Sequence, residues 1–155
     1  PSRQELPLRA EMVQADLKSI GVAVEVNSTA DHNALRRRPE TWDVYASAMV
    51  TAPTGDPAYF FTTHALSSSS ENNGGYVNAE LEGLAETLSQ TFDPAKREAL
   101  AVDMQKRILE DDAFVFAAHL KMTMVSRDGM EGLKAHPTDF YEITPFVRPL
   151  EKAKP

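Results

Sequence analysis

Four histidines and many carboxylates are the side chains with which this chain could perform acid–base or metal chemistry. The histidines are His32, His64, His119 and His136. No two of them lie four positions apart with a glutamate nearby, which is the spacing of the zinc-binding helical motif. His64 closes an aromatic segment before a polar loop and is the best candidate of the four for a ligand contact; the alternative is a packed core histidine. The carboxylates fall on polar helix faces and helix ends. The residue pattern therefore predicts that the protein is not an enzyme.

A rigid turn followed by three aromatic residues, TAPTGDPAYFF at residues 51–61, is the second chemical feature. Ligand pockets in open α/β sheets lie outside the carboxyl ends of the strands, in loops such as this one. The candidate ligand contacts lie in and just after the turn: Thr51, Pro53, Thr54, Asp56, Tyr59 and His64. The alternative is that Phe60 and Phe61 belong to the core and only Tyr59 is exposed.

The composition limits the classes of function. The chain has 155 residues, 42% of them hydrophobic and 25% charged, which is ordinary for a globular protein with one core. A net charge of −7 disfavours nucleic acid as a partner. The chain has no cysteine, so thiolate metal sites and disulfides are excluded.

Hydrophobic periodicity predicts that a helix followed by a strand begins the chain. Val13, Leu17 and Ile20 recur at helical spacing within residues 6–20, and Gly21 ends the helix as a C′ glycine. The alternating run VAVEV, residues 22–26, then predicts a strand. Further strands are predicted at residues 42–50 and 113–126. Because helix then strand is half of a βαβ unit, the expected fold class is α/β with a parallel sheet.

Two helices are predicted between these later strands. The first covers residues 79–90. The second begins with Asp93 as its N-cap and Pro94 at its first position. The residues expected on their buried faces are Leu81, Leu84, Ala85, Leu88, Leu100, Ala101, Met104 and Ile108. The segment SSSSENNGG, residues 67–75, predicts a flexible surface loop.

These elements, in this order, resemble the extracytoplasmic solute-binding proteins of the peptide and nickel class (family 5), which deliver ligands to ABC importers. The resemblance is carried by RAEMVQADLKSIGVAVEV, by WDVYASAMVTAPTGDPAYFF and by the long segment from NNGGYVNAELEGL to HLKMTMVS. It covers most of the chain. The chain departs from the family pattern at Ala79, where the family often has proline, and at DDAFVF, which replaces a P..P motif.

The resemblance implies a larger, two-lobed parent that closes on its ligand, of which this chain is the C-terminal portion. Residues 1–126 would form part of the second lobe, and residues 127–155 an extended segment returning toward the first lobe. The start at Pro1 fits an excised piece. The implied partners are an ABC permease and ATPase and a small-molecule ligand, with membrane contact only through the permease or a lipid anchor outside this chain. The implied location is periplasmic or at the cell surface.

The resemblance also bears on the ligand. Peptide-binding members usually carry an acidic residue in the turn after the tryptophan-containing strand, where it pairs with the peptide's α-amino group. Pro53 occupies that position here, and Asp56 would have to substitute for it. The turn instead resembles the nickel and metal-chelate subfamily. We therefore expect capture of nickel or a metal chelate, no resident cofactor, and at most a weak metal contact by His64; di- or oligopeptide binding is the alternative.

Overall fold

The computed structural model describes residue 3 and residues 5–121, 123–135 and 144–150. The longer helices are α1 (Glu5–Ser19), α4 (Ala79–Gln90) and α5 (Pro94–Glu110), and the short ones are α2 (His32–Arg36) and α3 (Ala58–Phe60). A 3₁₀ turn follows α2 at Pro39–Thr41, and a π-helical turn, Phe61–Ala65, continues α3. Strands β1 (Met130–Glu131) and β2 (Arg148–Pro149) pair antiparallel.

Helices α4 and α5 form where the sequence predicts them, and together they make a hairpin that carries most of the core. Asn78 caps α4 by accepting from the Leu81 N–H at 2.9 Å, and Asp93 caps α5 by accepting from the Lys96 N–H at 2.9 Å. The buried apolar residues come from the hairpin and from the helical segment after the aromatic turn: Phe60, Phe61, Ala65, Leu81, Leu88, Ala101, Met104 and Ile108.

The start of α4 and the end of α5 share one carboxylate. The Tyr76 hydroxyl and the Asn78 side-chain amide donate to Oδ2 of Asp111 at 2.7 and 2.6 Å. Burial and this hydrogen bond raise the pKa of Tyr76 to about 12, so its phenol stays protonated and keeps donating. Arg107 and Glu80 form an ion pair at the same end of the hairpin.

Replacing Asp93 by alanine is expected to lower the free energy of unfolding by about 1 kcal/mol, because α5 loses the acceptor for its first turn. Urea unfolding measures the change. Asp103→Ala is the matched control, since Asp103 is an exposed residue in the middle of the same helix. Equal losses in the two variants would contradict a capping role.

The prediction of strands at residues 22–26, 42–50 and 113–126 is wrong for the residues that the structure describes. The described residues of these three ranges belong to no helix and to no β-ladder. Val44, Val115 and Val125 are 81, 88 and 87% exposed. An alternating pattern shows which face of a strand would be buried, but a ladder also needs a second strand in register, and none of the described residues provides one. Helix α1 forms as predicted, yet none of its residues is buried, because none of the described residues covers its apolar face.

The serine- and asparagine-rich loop, residues 67–75, lies against the segments on either side of it through side-chain hydrogen bonds. Ser69 Oγ donates to the carbonyl oxygens of Phe61 and Thr62 at 3.1 and 2.8 Å. Asn72 accepts from the Tyr76 N–H at 3.0 Å and donates to the Leu66 carbonyl at 3.1 Å. Short polar side chains bond readily to nearby backbone groups, and here they connect the loop to the π-helical turn and to Tyr76; its flexibility remains a prediction.

The tail closes on itself through β1 and β2. Gly132 has φ +83°, and a Cβ there would lie 1.9 Å from the carbonyl oxygen of Phe146, so no larger residue fits without moving the backbone. Residues 136–143 and 151–155, including His136, lie outside the described residues. The division at residue 126 and the return toward a first lobe remain predictions.

Candidate functional site

The proline-rich turn is built around Gly55 and Asp56. The Gly55 N–H donates to the Ala52 carbonyl at 3.0 Å, and Gly55 takes the left-handed conformation, φ +79°. Oδ1 of Asp56 accepts from the Ala58 N–H at 2.9 Å, which directs the chain into α3. The turn is therefore a defined structure, and the side chain of Asp56 is part of it.

Arg97 of α5 holds this turn. Its Nη2 donates to both carboxylate oxygens of Asp56 at 2.7 Å, and its Nη1 donates to the carbonyl oxygens of Leu88 and Thr91, also at 2.7 Å. The hydrogen bond from Arg97 is the largest cause that lowers the pKa of Asp56, and the Ala58 N–H adds to it. Asp56 is therefore a carboxylate throughout the physiological range and is already paired.

An open groove of about 600 Å³ lies between the turn and α5. Two of the predicted ligand contacts, Thr54 and Asp56, line it on one side, and Arg97, Glu98 and Gln105 line it on the other. The structure thus brings Thr54 and Asp56 to one surface. Thr51 and Pro53 are half-buried in the same turn.

The three aromatics after the turn divide into one exposed ring and two buried ones. Phe60 and Phe61 are 6 and 1% exposed, as the core alternative predicts, whereas Tyr59 is 38% exposed. The Tyr59 ring meets the His64 ring edge-on, with centroids 6.4 Å apart, so these two candidate residues are neighbours. The Phe60 ring also faces Phe114 at 5.6 Å, which ties this segment to the chain after α5.

His64 is buried at 9% exposure, and its Nδ1 has no hydrogen-bond partner among the described residues. Burial lowers the pKa of His64; the carboxylate of Glu71 opposes this effect and the guanidinium of Arg36 adds to it. Arg36 and Glu71 form a two-pronged ion pair that joins α2 to the serine-rich loop. Neutral imidazole is thus the form that the fold accommodates.

Lowering the pH from about 7.5 to about 5.5 is expected to destabilise the protein through His64. Above the ordinary histidine pKa of about 6.5, the imidazole is neutral in both the folded and the unfolded protein. Because the folded pKa is lowered, the unfolded chain binds the proton first as the pH falls. The stability is therefore complete above about pH 6.5 and is lost as the pH falls toward the folded pKa.

Urea unfolding of the wild type and of His64→Gln at the two pH values measures this effect. The loss on acidification is expected to be smaller in His64→Gln. His32→Gln, at an exposed histidine, is the control and should behave as the wild type does. The same loss in His64→Gln as in the wild type would contradict the assignment.

Arg97, Arg36 and Glu71 belong to the site, but the sequence pattern does not single them out. Arg36 is part of RRRP, residues 36–39, a charge pattern that by itself predicts only a solvated turn. A signal for Arg97 was present, since positions 97, 101, 104 and 108 fall on one helical face and the last three are the predicted core positions. An arginine on the buried face of a helix requires a hydrogen-bonding partner of opposite charge. Asp56, the acidic residue of the turn, is a candidate for that partner.

Comparison with known proteins supplies relatives, although no protein-family model matches the chain. It is 25% identical over 141 residues to the nickel-binding protein NikA of Staphylococcus aureus, covering 91% of this chain and 29% of that protein. It is 26% identical over 133 residues to di/tripeptide-binding protein 4 of Pseudomonas aeruginosa, covering 84% of this chain and 25% of the relative.

Two solved structures share its fold. NikA from Staphylococcus aureus, crystallised in complex with Ni(L-His)2, superposes with a TM-score of 0.67 at 28% identity, over 70% of this chain and 23% of that one. A nickel ABC transporter protein from Bacillus halodurans superposes with a TM-score of 0.61 at 30% identity, over 72% of this chain and 24% of that one.

In fold and sequence the chain is similar to solute-binding proteins of the peptide and nickel ABC importers, the class that its motifs resemble. Its α/β fold is part of a lobe of the two-lobed binding-protein architecture, and the chain spans about a quarter of the length of the relatives it matches. Such proteins are not enzymes, so that prediction is confirmed. Within the described ranges, no helix has the length and apolarity to cross a bilayer, and no three histidine or acidic side chains are grouped to hold a metal ion.

Proposed function

We propose that the protein is the substrate-binding component of an ABC importer and captures nickel as a complex with a small organic chelator, in a cleft between two lobes. The turn at residues 51–57 and Tyr59 would form part of one wall of that cleft. Thr51, Pro53, Thr54 and Tyr59 would contact the ligand, whereas Asp56 would shape the turn and His64 would support Tyr59 from behind. Nickel is cargo in this proposal, and the protein needs no resident cofactor.

The pairing of Asp56 with Arg97 is the observation that carries the choice of ligand. A peptide anchored through Asp56 would bring an ammonium group to a carboxylate whose two oxygens already accept from a guanidinium at 2.7 Å. Displacing Arg97 would leave its charge unpaired, with the arginine side chain only 20% exposed. With proline at position 53, no other acidic residue of the turn is available to a peptide amine.

The chemistry of the turn suits a chelate. A half-exposed tyrosine ring offers a flat apolar surface, and binding pockets combine such surfaces with a few polar groups. A metal already wrapped by an organic ligand needs no complete set of protein donors, so a cysteine-free segment can contribute to its capture. The relative from Staphylococcus aureus, crystallised with Ni(L-His)2, supports this ligand class. The di/tripeptide-binding relative supports the alternative of peptide binding.

The implied partners follow from the importer role. An ABC permease would receive the ligand, an ATPase would drive its transfer, and the protein would work outside the cytoplasm, in the periplasm or at the cell surface. Contact with the membrane would come through the permease or through a lipid anchor outside this chain.

Calorimetric titration of the full-length protein tests the proposal. We expect saturable one-to-one binding of nickel with L-histidine, and no heat of binding from L-histidine alone. Dialanine and trialanine are the competing arm. Tight binding of either peptide, with none of nickel and histidine, would overturn the proposal and favour the peptide alternative.

A further inference from the structure

We infer that Arg97 is a positioning residue for ligand capture: it holds the turn at residues 51–57 in its binding conformation through Asp56, without touching the ligand. This inference rests on the proposed function for the identity of the ligand. The mechanical link between α5 and the turn is independent of the proposed function.

One guanidinium joins three parts of the chain. Arg97 lies in the first turn of α5, donates to the carbonyl of Leu88 near the end of α4 and to that of Thr91 in the link, and donates twice to Asp56. The two carbonyls stand at a helix C-terminus, where backbone acceptors lack partners within the helix. The helix hairpin therefore fixes the guanidinium, and the guanidinium fixes Asp56.

Asp56 transmits its position to the proposed binding residues. Its side chain accepts from the Ala58 N–H at 2.9 Å, and its own carbonyl accepts from the Tyr59 N–H at 3.3 Å. A shift of Asp56 therefore shifts Tyr59, whose ring is the exposed aromatic of the site. On the other side of Asp56, Thr54 and Gly55 are exposed, and a Cβ built on Gly55 would meet nothing within 4 Å, so no neighbouring group packs against Gly55.

Lysine cannot replace this arginine. The planar fork of arginine serves the carboxylate and two carbonyls at once, whereas an ammonium group is a single point with three donors. We therefore expect Arg97→Lys to keep the positive charge and still lose the geometry. Weaker ligand binding in Arg97→Lys would show that the geometry of the arginine matters, whereas unchanged binding would show that its charge alone is sufficient.

The test uses the full-length protein and a thermodynamic cycle. Asp56→Asn, Arg97→Gln and the double variant are titrated with nickel and L-histidine, alongside Arg97→Lys. Arg107→Gln is the matched control, because Arg107 lies on the same helix as Arg97 but pairs with Glu80 of α4 rather than with the turn. We expect each single variant of the Asp56–Arg97 pair to bind about tenfold more weakly, with the double variant no weaker than either single one. Arg107→Gln should bind as the wild type does.

A second readout follows the turn directly. A nitroxide spin label on Thr54→Cys is expected to become more mobile when Arg97→Gln is added and to keep its mobility when Arg107→Gln is added. Unchanged label mobility and unchanged affinity in Arg97→Gln would overturn the inference. If the wild type does not bind nickel with histidine, the proposed function fails, and label mobility alone decides whether Arg97 holds the turn.

Discussion

Phe61→Ala is expected to lower the free energy of unfolding by about 3–5 kcal/mol. Phe61 is 1% exposed and lies in the cluster that joins the π-helical turn to the α4–α5 hairpin. Its ring packs edge-on against Phe60 at 5.6 Å. Truncation removes this contact and leaves a cavity that the surrounding helices fill only in part. Urea unfolding of the purified protein, followed by circular dichroism, measures the loss.

Phe92→Ala is the matched control, because it makes the same chemical change at a phenylalanine that is 86% exposed in the link between α4 and α5. Its effect should remain within about 0.5 kcal/mol of zero. Similar losses in the two variants would mean that the aromatic cluster is not the core of this part of the protein.

Tyr59→Ala is expected to weaken the binding of nickel with L-histidine about tenfold, which is the scale of losing one well-placed aromatic contact. The free energy of unfolding should change little, because the Tyr59 side chain is 38% exposed. Two adjacent aromatics thus have opposite expected effects: Tyr59 on binding and Phe61 on stability. Titration calorimetry and urea unfolding on the same preparation separate the two.

Tyr59→Phe is the control for the ring itself. It keeps the aromatic surface and removes the hydroxyl group, so it should retain most of the affinity. An unchanged affinity in Tyr59→Ala would exclude Tyr59 from the ligand site and leave the turn residues Thr51, Pro53 and Thr54 as the proposed wall.

The helices were predictable from the sequence because their signals are local. Asp93 followed by Pro94 marks the start of α5, and a stripe at helical spacing marks its buried face. The predicted bounds of α4, residues 79–90, are those of the structure. The fold class was also predictable, since the order of the motifs carried the family resemblance.

The strands and the ion pairs were not predictable in the same way, because both depend on partners far away in the chain. The pattern at residues 113–126 shows alternation but not which strand would pair with it. Asp56 and Arg97 are separated by 41 positions, and no local rule pairs a turn carboxylate with a particular helix residue. The division of the aromatics into Tyr59 outside and Phe60 and Phe61 inside was left open for the same reason.

The shared carboxylate of Asp111 has a topological consequence. Tyr76 and Asn78, at the start of the hairpin, both donate to Asp111 at its end. The two ends of the hairpin are therefore held together, and the hairpin joins the rest of the chain at one point. A unit of this kind behaves as an insertion, whose far end can be lengthened while its base remains closed. The link around the exposed Phe92 is that far end, where residues can be added while the base of the hairpin stays in place, provided that the Thr91 carbonyl still reaches Arg97 and Asp93 still caps α5.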